Sequence, residues 1–209
     1  RQGHHIHGLI TGSALNHGGA TPSITAPRVI AQQQVIERAY AEAEVEPTQV
    51  SYIEAHGTGT SLGDPIEIEA LTRAFDGHTS VEQNRESWCR IGSVKTNIGH
   101  LEAAAGIAGV IKVLLMMRHG QIPPSLNFSH ANPVIDFEAT PFRVATELSE
   151  WQGEPPLRAG VSSFGFGGVN AHLLLQSPPE TVSEGVSETG EAHPWFISAH
   201  SRESLEQLI

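Results

Sequence analysis

"CRIGSVKTNIGHLEAAAGIAGVIKVLLMMRHG", Cys89 to Gly120, holds a strand, a turn and a helix in one continuous stretch. "CRIGSV" reads as a short strand. "KTNIGH" breaks the run with Lys, Asn and Gly and leads into a helix. That helix is expected to run for about 18 residues from Leu101, stopping at Gly120 with Pro123 just beyond. Its first half is almost entirely Ala and Gly, so neighbouring backbone must come close to it. A strand feeding a helix through a tight turn is the unit of an α/β layered fold.

The flanking sequence repeats that unit. "IHGLITGSAL", from Ile6, reads as a strand, and "NHGGATPS" after it as a loop. Thr25 is the expected cap of a helix with Pro27 in its first turn and Ile30, Val35, Ile36, Ala39 and Tyr40 on one apolar face. "VSYIEA" is a short strand that ends in the tight run "HGTGTSLG". Asp64 as cap, Pro65 at the first position and Glu67 three residues past the cap mark the next helix start. Ile68, Leu71 and Phe75 continue that helix on one face, and residues 76–87 are a polar excursion. "FRVATEL" and "RAGVSSFGFGGVNAHLLLQ" supply further strands, the second pair turning through its Gly-rich centre. Ser177 to Glu191 has linker composition, rich in Ser, Glu, Pro and Gly. The expected organisation is therefore a domain over 1–177, a flexible linker over 178–192 and the start of another domain over 193–209.

Composition removes several function classes. With 12 Lys and Arg against 23 Asp and Glu, the net charge is −11. Such a chain has no cationic excess to displace phosphate counterions, so nucleic acid is not an expected partner. No apolar run approaches the roughly 20 residues that span a bilayer, and the first residues lack a signal peptide's apolar centre. A single cysteine excludes an internal disulfide and fits a reducing cytoplasm. The chain opens in the middle of a strand-like region without Met, as expected of a piece of something larger.

Three Gly-rich runs follow expected strands, at 56–64, 95–100 and 162–170. None ends in the Gly-Lys-Ser/Thr of a phosphate-binding loop. His56 and His100 each follow a strand, where side chains point into a site at the sheet's end. Two imidazoles can donate to one carbonyl oxygen, and Lys95 on the turn of His100 would help set their protonation. Such a trio suits an enolate or a tetrahedral oxyanion. His4, His5 and His7 cluster, but they lack a second ligand pair at metal-site spacing, so no metal is expected. His119 and His130 flank the end of the long helix. His17, His78, His172, His193 and His200 have no evident partner in the sequence. Cys89 has no helix N-terminus behind it to lower its pKa and reads as an inert, partly buried thiol.

"YIEAHGTGTSLGDPIEIEAL", "GSVKTNIGHLEAAAGIAGVIKVLL" and "SSFGFGGVNAHLLL" together resemble the signature blocks of the ketosynthase domain of modular type I polyketide synthases. The blocks are long and occur in the family's order, and the resemblance covers residues 1 to about 177. "GSALNHGGATPSITAP" resembles the family's preceding loop, in a form that hints at a separate acyltransferase. "HPWFISAHSRESLEQL" resembles the start of the post-ketosynthase linker domain. The resemblance implies a thiolase-like fold, with two βαβα halves stacked as alternating helix and sheet layers and usually paired as a homodimer. This chain would supply the C-terminal portion. The nucleophilic cysteine would lie in the N-terminal half, outside these residues, through fragmentation, cleavage or a split subunit.

Carried over by motif, His56 and His100 would hydrogen-bond the thioester carbonyl of a malonyl-type extender and stabilise the enolate formed by decarboxylation. Lys95 would orient His100. Thr58 and Thr60 would contact the phosphopantetheine arm of an acyl carrier protein, and no cofactor would be bound by the chain itself. The backbone N–H of Phe164 would form part of an oxyanion hole, with its ring as a gate. The expected partners are the ketosynthase's N-terminal half, the carrier protein and an acyltransferase in cis or in trans. A non-elongating acyl-binding or dimer-scaffold module is the alternative, and an interaction piece lacking its first half is a third.

Overall fold

The computed structural model describes residues 6–21, 26–76, 88–179 and 200–206. Its strands are β1 (Leu9–His17), β2 (Tyr52–Glu54), β3 (Cys89–Gly92), β4 (Gln121–Ile122), β5 (Phe142–Val144), β6 (Ser149–Glu150), β7 (Arg158–Phe164) and β8 (Val169–Gln176). Its helices are α1 (Val29–Ala43), α2 (Gly63–Phe75), α3 (Lys95–Ile98), α4 (Ala105–His119) and α5 (Arg202–Glu206). The six-stranded sheet has the order β1-β8-β7-β2-β3-β5, and β4 pairs with β6 apart from it. β2, β3, β5 and β7 are parallel, while β8 pairs antiparallel with both β1 and β7. The carboxyl ends of β2, β3 and β7 consequently share one edge, the place where ligand sites form in open α/β sheets.

Both faces of the sheet are covered. Val35, Ile36 and Tyr40 of α1 and Ile68, Leu71 and Phe75 of α2 pack on Ile53, Ile91, Phe142 and Leu174. On the opposite face, Val113, Met116 and Met117 of α4 pack with Tyr52, Ala159, Val161 and Leu175. Period-2 alternation along β2 produces this division, sending Ile53 one way and Tyr52 with Glu54 the other. α1 lies tight on β1 at Gly12, where a Cβ would stand 2.3 Å from the Ala39 carbonyl oxygen. The chain falls into two units, Arg1–Pro179 and Glu180–Ile209. Within the second, α5 carries an Arg202–Glu206 ion pair of 3.1 Å.

Three helix starts differ from the sequence expectation. α1 begins at Val29, leaving Pro27 outside, and Ile30 is exposed; Thr25 lies outside the described residues. Extended Arg28 occupies the cap without a side-chain cap bond, its guanidinium donating to the Gly18 carbonyl instead (2.9 Å). α2 begins at Gly63, so Asp64 sits in its first turn and accepts from the Gly59 N–H (3.0 Å). α4 has 15 residues from Ala105, preceded by a 3₁₀ turn over Glu102–Ala104. The left-handed Gly120 ends it as expected.

Candidate functional site

His56 stands two residues past β2, held by its main chain on both sides. The His56 and Gly57 N–H groups donate to the two carboxylate oxygens of Glu67, at 2.7 and 2.9 Å. On the other side, the Lys95 ammonium donates to the His56 carbonyl. Gly57 adopts φ +48°, and a Cβ there would meet Ser93 at 2.9 Å, so this turn needs glycine. Glu67 therefore serves the turn before its own helix rather than the helix cap. Burial raises its carboxyl to about 7, against the two backbone donors that favour the ionised form.

β3 delivers the other half. It ends at Gly92, and the one-turn α3 intervenes before Gly99 and His100, so His100 does not directly follow a strand. The Glu102 N–H donates to His100 Nδ1 at 2.9 Å, which places the neutral ring's proton on Nε2. The His56 and His100 rings meet edge to face, 5.6 Å between centroids at 85°. The Phe164 ring, from the last residue of β7, lies 5.6 Å from His56 on another side. Burial first, then the Lys95 and His100 charges, lowers His56 to about 4, so it is a neutral imidazole at pH 7. Lys95 is itself lowered by burial, opposed by Glu67, Glu54 and Asp64.

Three segments thus converge, carrying His56, Lys95 with His100, and Phe164. Thr58 and Thr60 follow on the His56 turn, their hydroxyls 3.3 Å apart, with Thr60 Oγ1 accepting from the Gly63 N–H (2.9 Å). The hairpin after Phe164 exposes Phe166 and bonds to the loop after β1, the Gly18 N–H donating to the Gly168 carbonyl at 2.7 Å. The arrangement can present two imidazole N–H donors, with the Lys95 side chain nearby, to a single developing oxyanion.

Other candidates resolve differently. Cys89 opens β3 and is fully buried, not partly so, and burial pushes its thiol up. Alkylation of the native chain by iodoacetamide should therefore run at least about a thousandfold slower than after denaturation, as buried structural thiols do. Labelling at comparable rates would show Cys89 accessible. His4 and His5 lie outside the described residues, as do His78 and His193. Among the described residues no three His, Cys, Asp or Glu side chains converge as metal ligands. His17 has a partner, its Nδ1 accepting from the Gly19 N–H at 2.9 Å.

His172 also has partners the sequence did not reveal. Fully buried, it bonds Ser162 Oγ at 3.0 Å through Nδ1 and stacks on Tyr40. Burial lowers it from 6.5 to about 3. An unfolded chain takes up this proton below pH 6.5 and the folded chain refuses it until about pH 3, so stability falls as pH drops through that window. Glu67, raised from 4.5 to about 7, has the opposite sign and offsets part of the loss between those values. Comparison with His172→Gln isolates the histidine. The stability gap between parent and variant in urea melts should narrow by about 2 kcal/mol from pH 6.5 to 4.5. A constant gap would mean that His172 titrates normally.

Glu67, Glu54 and Lys112 were the functional-region residues missed in the sequence. Glu54 carried a signal, because a carboxylate inside a strand buried on both faces must find partners. Glu67 carried none, because the capping-box spacing pointed elsewhere.

Comparison with known proteins gives consistent results. Residues 7–129 match the family described as beta-ketoacyl synthase, C-terminal domain, and residues 131–209 match the ketoacyl-synthetase C-terminal extension. The chain is 50% identical over 216 residues to polyketide synthase PksL of Bacillus subtilis, covering 98% of this chain and 5% of PksL. Among solved structures, it resembles the ketosynthase from module 6 of the bacillaene synthase of Bacillus subtilis 168. The TM-score is 0.80 at 46% identity, over 84% of this chain and 31% of that one. The oxazolomycin ketosynthase domain OzmH KS7 of Streptomyces albus JA3453 aligns at TM-score 0.82 and 40% identity, over 98% of this chain and 34% of that one. The chain thus spans about a third of the solved ketosynthases and a twentieth of the curated relative's length. The sheet with helices on both faces is the C-terminal portion of their thiolase-like fold.

Proposed function

The chain belongs to the β-ketoacyl synthases of modular polyketide synthases, whose C-terminal domain it carries, and on that premise we propose that it supplies the extender-binding side of a decarboxylative Claisen condensation. The observation that carries this reading is the meeting of His56 and His100, with the His100 proton held on Nε2 by the Glu102 N–H. Two N–H donors on one thioester oxygen stabilise the enolate as the malonyl-type carboxylate leaves as CO2 or bicarbonate. The enolate carbon then bonds the carbonyl carbon of an acyl thioester, whose thiolate departs. Lys95 positions the His56 turn through its carbonyl and adds positive field. The Phe164 N–H would serve the acyl oxyanion and its ring the gate, while Thr58 and Thr60 would receive the phosphopantetheine arm.

The nucleophile lies outside these 209 residues in this reading, since Cys89 is buried in the core. The chain alone is then an inactive portion of a C–C bond-forming acyltransferase, working with substrates on an acyl carrier protein and an acyltransferase in cis or trans. Ile107, Ile111 and Leu115, exposed in a row on α4, support packing against the ketosynthase's N-terminal half. Homodimerisation and a cytoplasmic location belong to the same proposal, as do the domain limits 1–177, 178–192 and 193–209. Among the described residues no helix is long and apolar enough to cross a membrane.

The test supplies an N-terminal ketosynthase half in the same polypeptide and follows C–C bond formation from acyl and malonyl carrier thioesters by mass spectrometry. Product is expected from the joined protein and not from the chain alone. Acyl loading without condensation would favour a non-elongating, acyl-binding role.

A further inference from the structure

Beneath the candidate site lies a buried polar group that the reaction scheme does not use. Glu54, 2% exposed, is the last residue of β2 and faces α4. Its Oε1 accepts from the Val94 N–H at 2.5 Å, and its Oε2 accepts from Lys112 Nζ at 2.8 Å and the Tyr52 hydroxyl at 2.9 Å. Lys112 also donates to the Tyr52 oxygen at 2.9 Å and lies over the Tyr52 ring. Gly109 of α4 faces the same carboxylate, since a Cβ there would stand 3.0 Å from Glu54 Cγ.

The sequence positions explain what these bonds tie together. Glu54 stands two residues before His56, Val94 immediately precedes Lys95, and Lys112 belongs to the helix that follows His100. One carboxylate therefore joins two of the backbone segments that enter the site, those from β2 and β3, to the helix α4 that follows His100. A core that needed only packing at this point would do as well with apolar residues of similar volume, because a buried ion pair is weak support for stability. Placed instead between the segments, a charged acceptor fixes the Val94 N–H in direction as well as distance.

We propose that Glu54 and Lys112 are positioning residues: the pair fixes the Val94–Lys95 turn against β2, so that Lys95 reaches the His56 carbonyl and the two imidazoles keep their mutual geometry. This deepens the condensation reading and rests on it for the kinetic part of its test. The structural part does not.

Removing one partner strands a buried charge, so the informative change removes both charges together as Glu54→Gln/Lys112→Met. In the 209-residue chain, amide exchange at Val94 should quicken at least tenfold while Ile53 and Val161, within strands, stay within twofold. In a ketosynthase containing this segment, kcat for malonyl-thioester decarboxylation should fall about tenfold with KM within twofold. Unchanged exchange at Val94, or faster exchange with parental kcat, overturns the proposal. Should the double variant not fold, Glu54→Gln is read the same way, and unfolding of both would make the pair purely structural and overturn positioning. His100→Ala runs alongside. If it decarboxylates at the parental rate, the condensation reading fails, whereas an inactive His100→Ala beside a fully active double variant sinks only the positioning role.

Discussion

In a ketosynthase completed by its N-terminal half, His100→Ala should lower malonyl-thioester decarboxylation and condensation about 10²–10³-fold, the usual cost of one preorganised oxyanion donor. The effect belongs in kcat, because the donor strengthens only as charge moves onto the thioester oxygen. Loading of the acyl chain should change less than tenfold, since the proposed scheme assigns that step to a different oxyanion hole. His100 is exposed in this chain, so the variant's melting temperature should stay close to the parent's. Decarboxylation at the parental rate in the completed enzyme would remove His100 from the chemistry.

The second large effect falls on stability. Glu67→Ala would leave the His56 and Gly57 N–H groups without their acceptor, in a place where the Glu67 side chain is only 3% exposed. Orphaned buried donors cost about 1–3 kcal/mol each, so a loss of about 3 kcal/mol in urea unfolding is expected. Glu67→Gln keeps one amide oxygen but turns an NH2 towards the second donor, and should lose about half as much. The turn that carries His56 would also loosen, so kcat should fall in both variants in the completed enzyme. Equal stability of Glu67→Ala and the parent would show that water replaces the carboxylate without cost.

The sequence made the fold legible where period and punctuation agreed. "CRIGSV" followed by the Ala-Gly helix, and the "SSFGFGG" hairpin, both occur as β3 with α4 and as β7 with β8. Element starts were less legible because carboxylates compete for more than one backbone donor. Asp64 has the chemistry of an N-cap, yet it binds the Gly59 N–H, and its helix begins one residue before it. Glu67 has capping-box spacing, yet it reaches back to residues 56 and 57. Propensity sees only the near partner, and the tertiary turn supplies the better one. In the candidate site, His56 follows β2 as the sequence suggested, whereas α3 separates His100 from β3, and the two rings are nonetheless brought together. The support beneath them was not legible, since Glu54 and Lys112 lie 58 residues apart in sequence.

The pairing of β1 with β8 also sets a timetable. Asn16 and Asn170, bonded side chain to side chain, are 154 residues apart. At about 5–20 residues per second of synthesis, β1 would wait roughly 8–30 seconds for β8, its neighbour in the sheet, to be made. During that interval Ile10 and Leu15 stand on an open strand edge, a template for mispairing with other nascent chains. Long-range closure of this kind also slows refolding from denaturant. Yield in a cell should accordingly depend on a holding chaperone that covers β1 until β8 has left the ribosome.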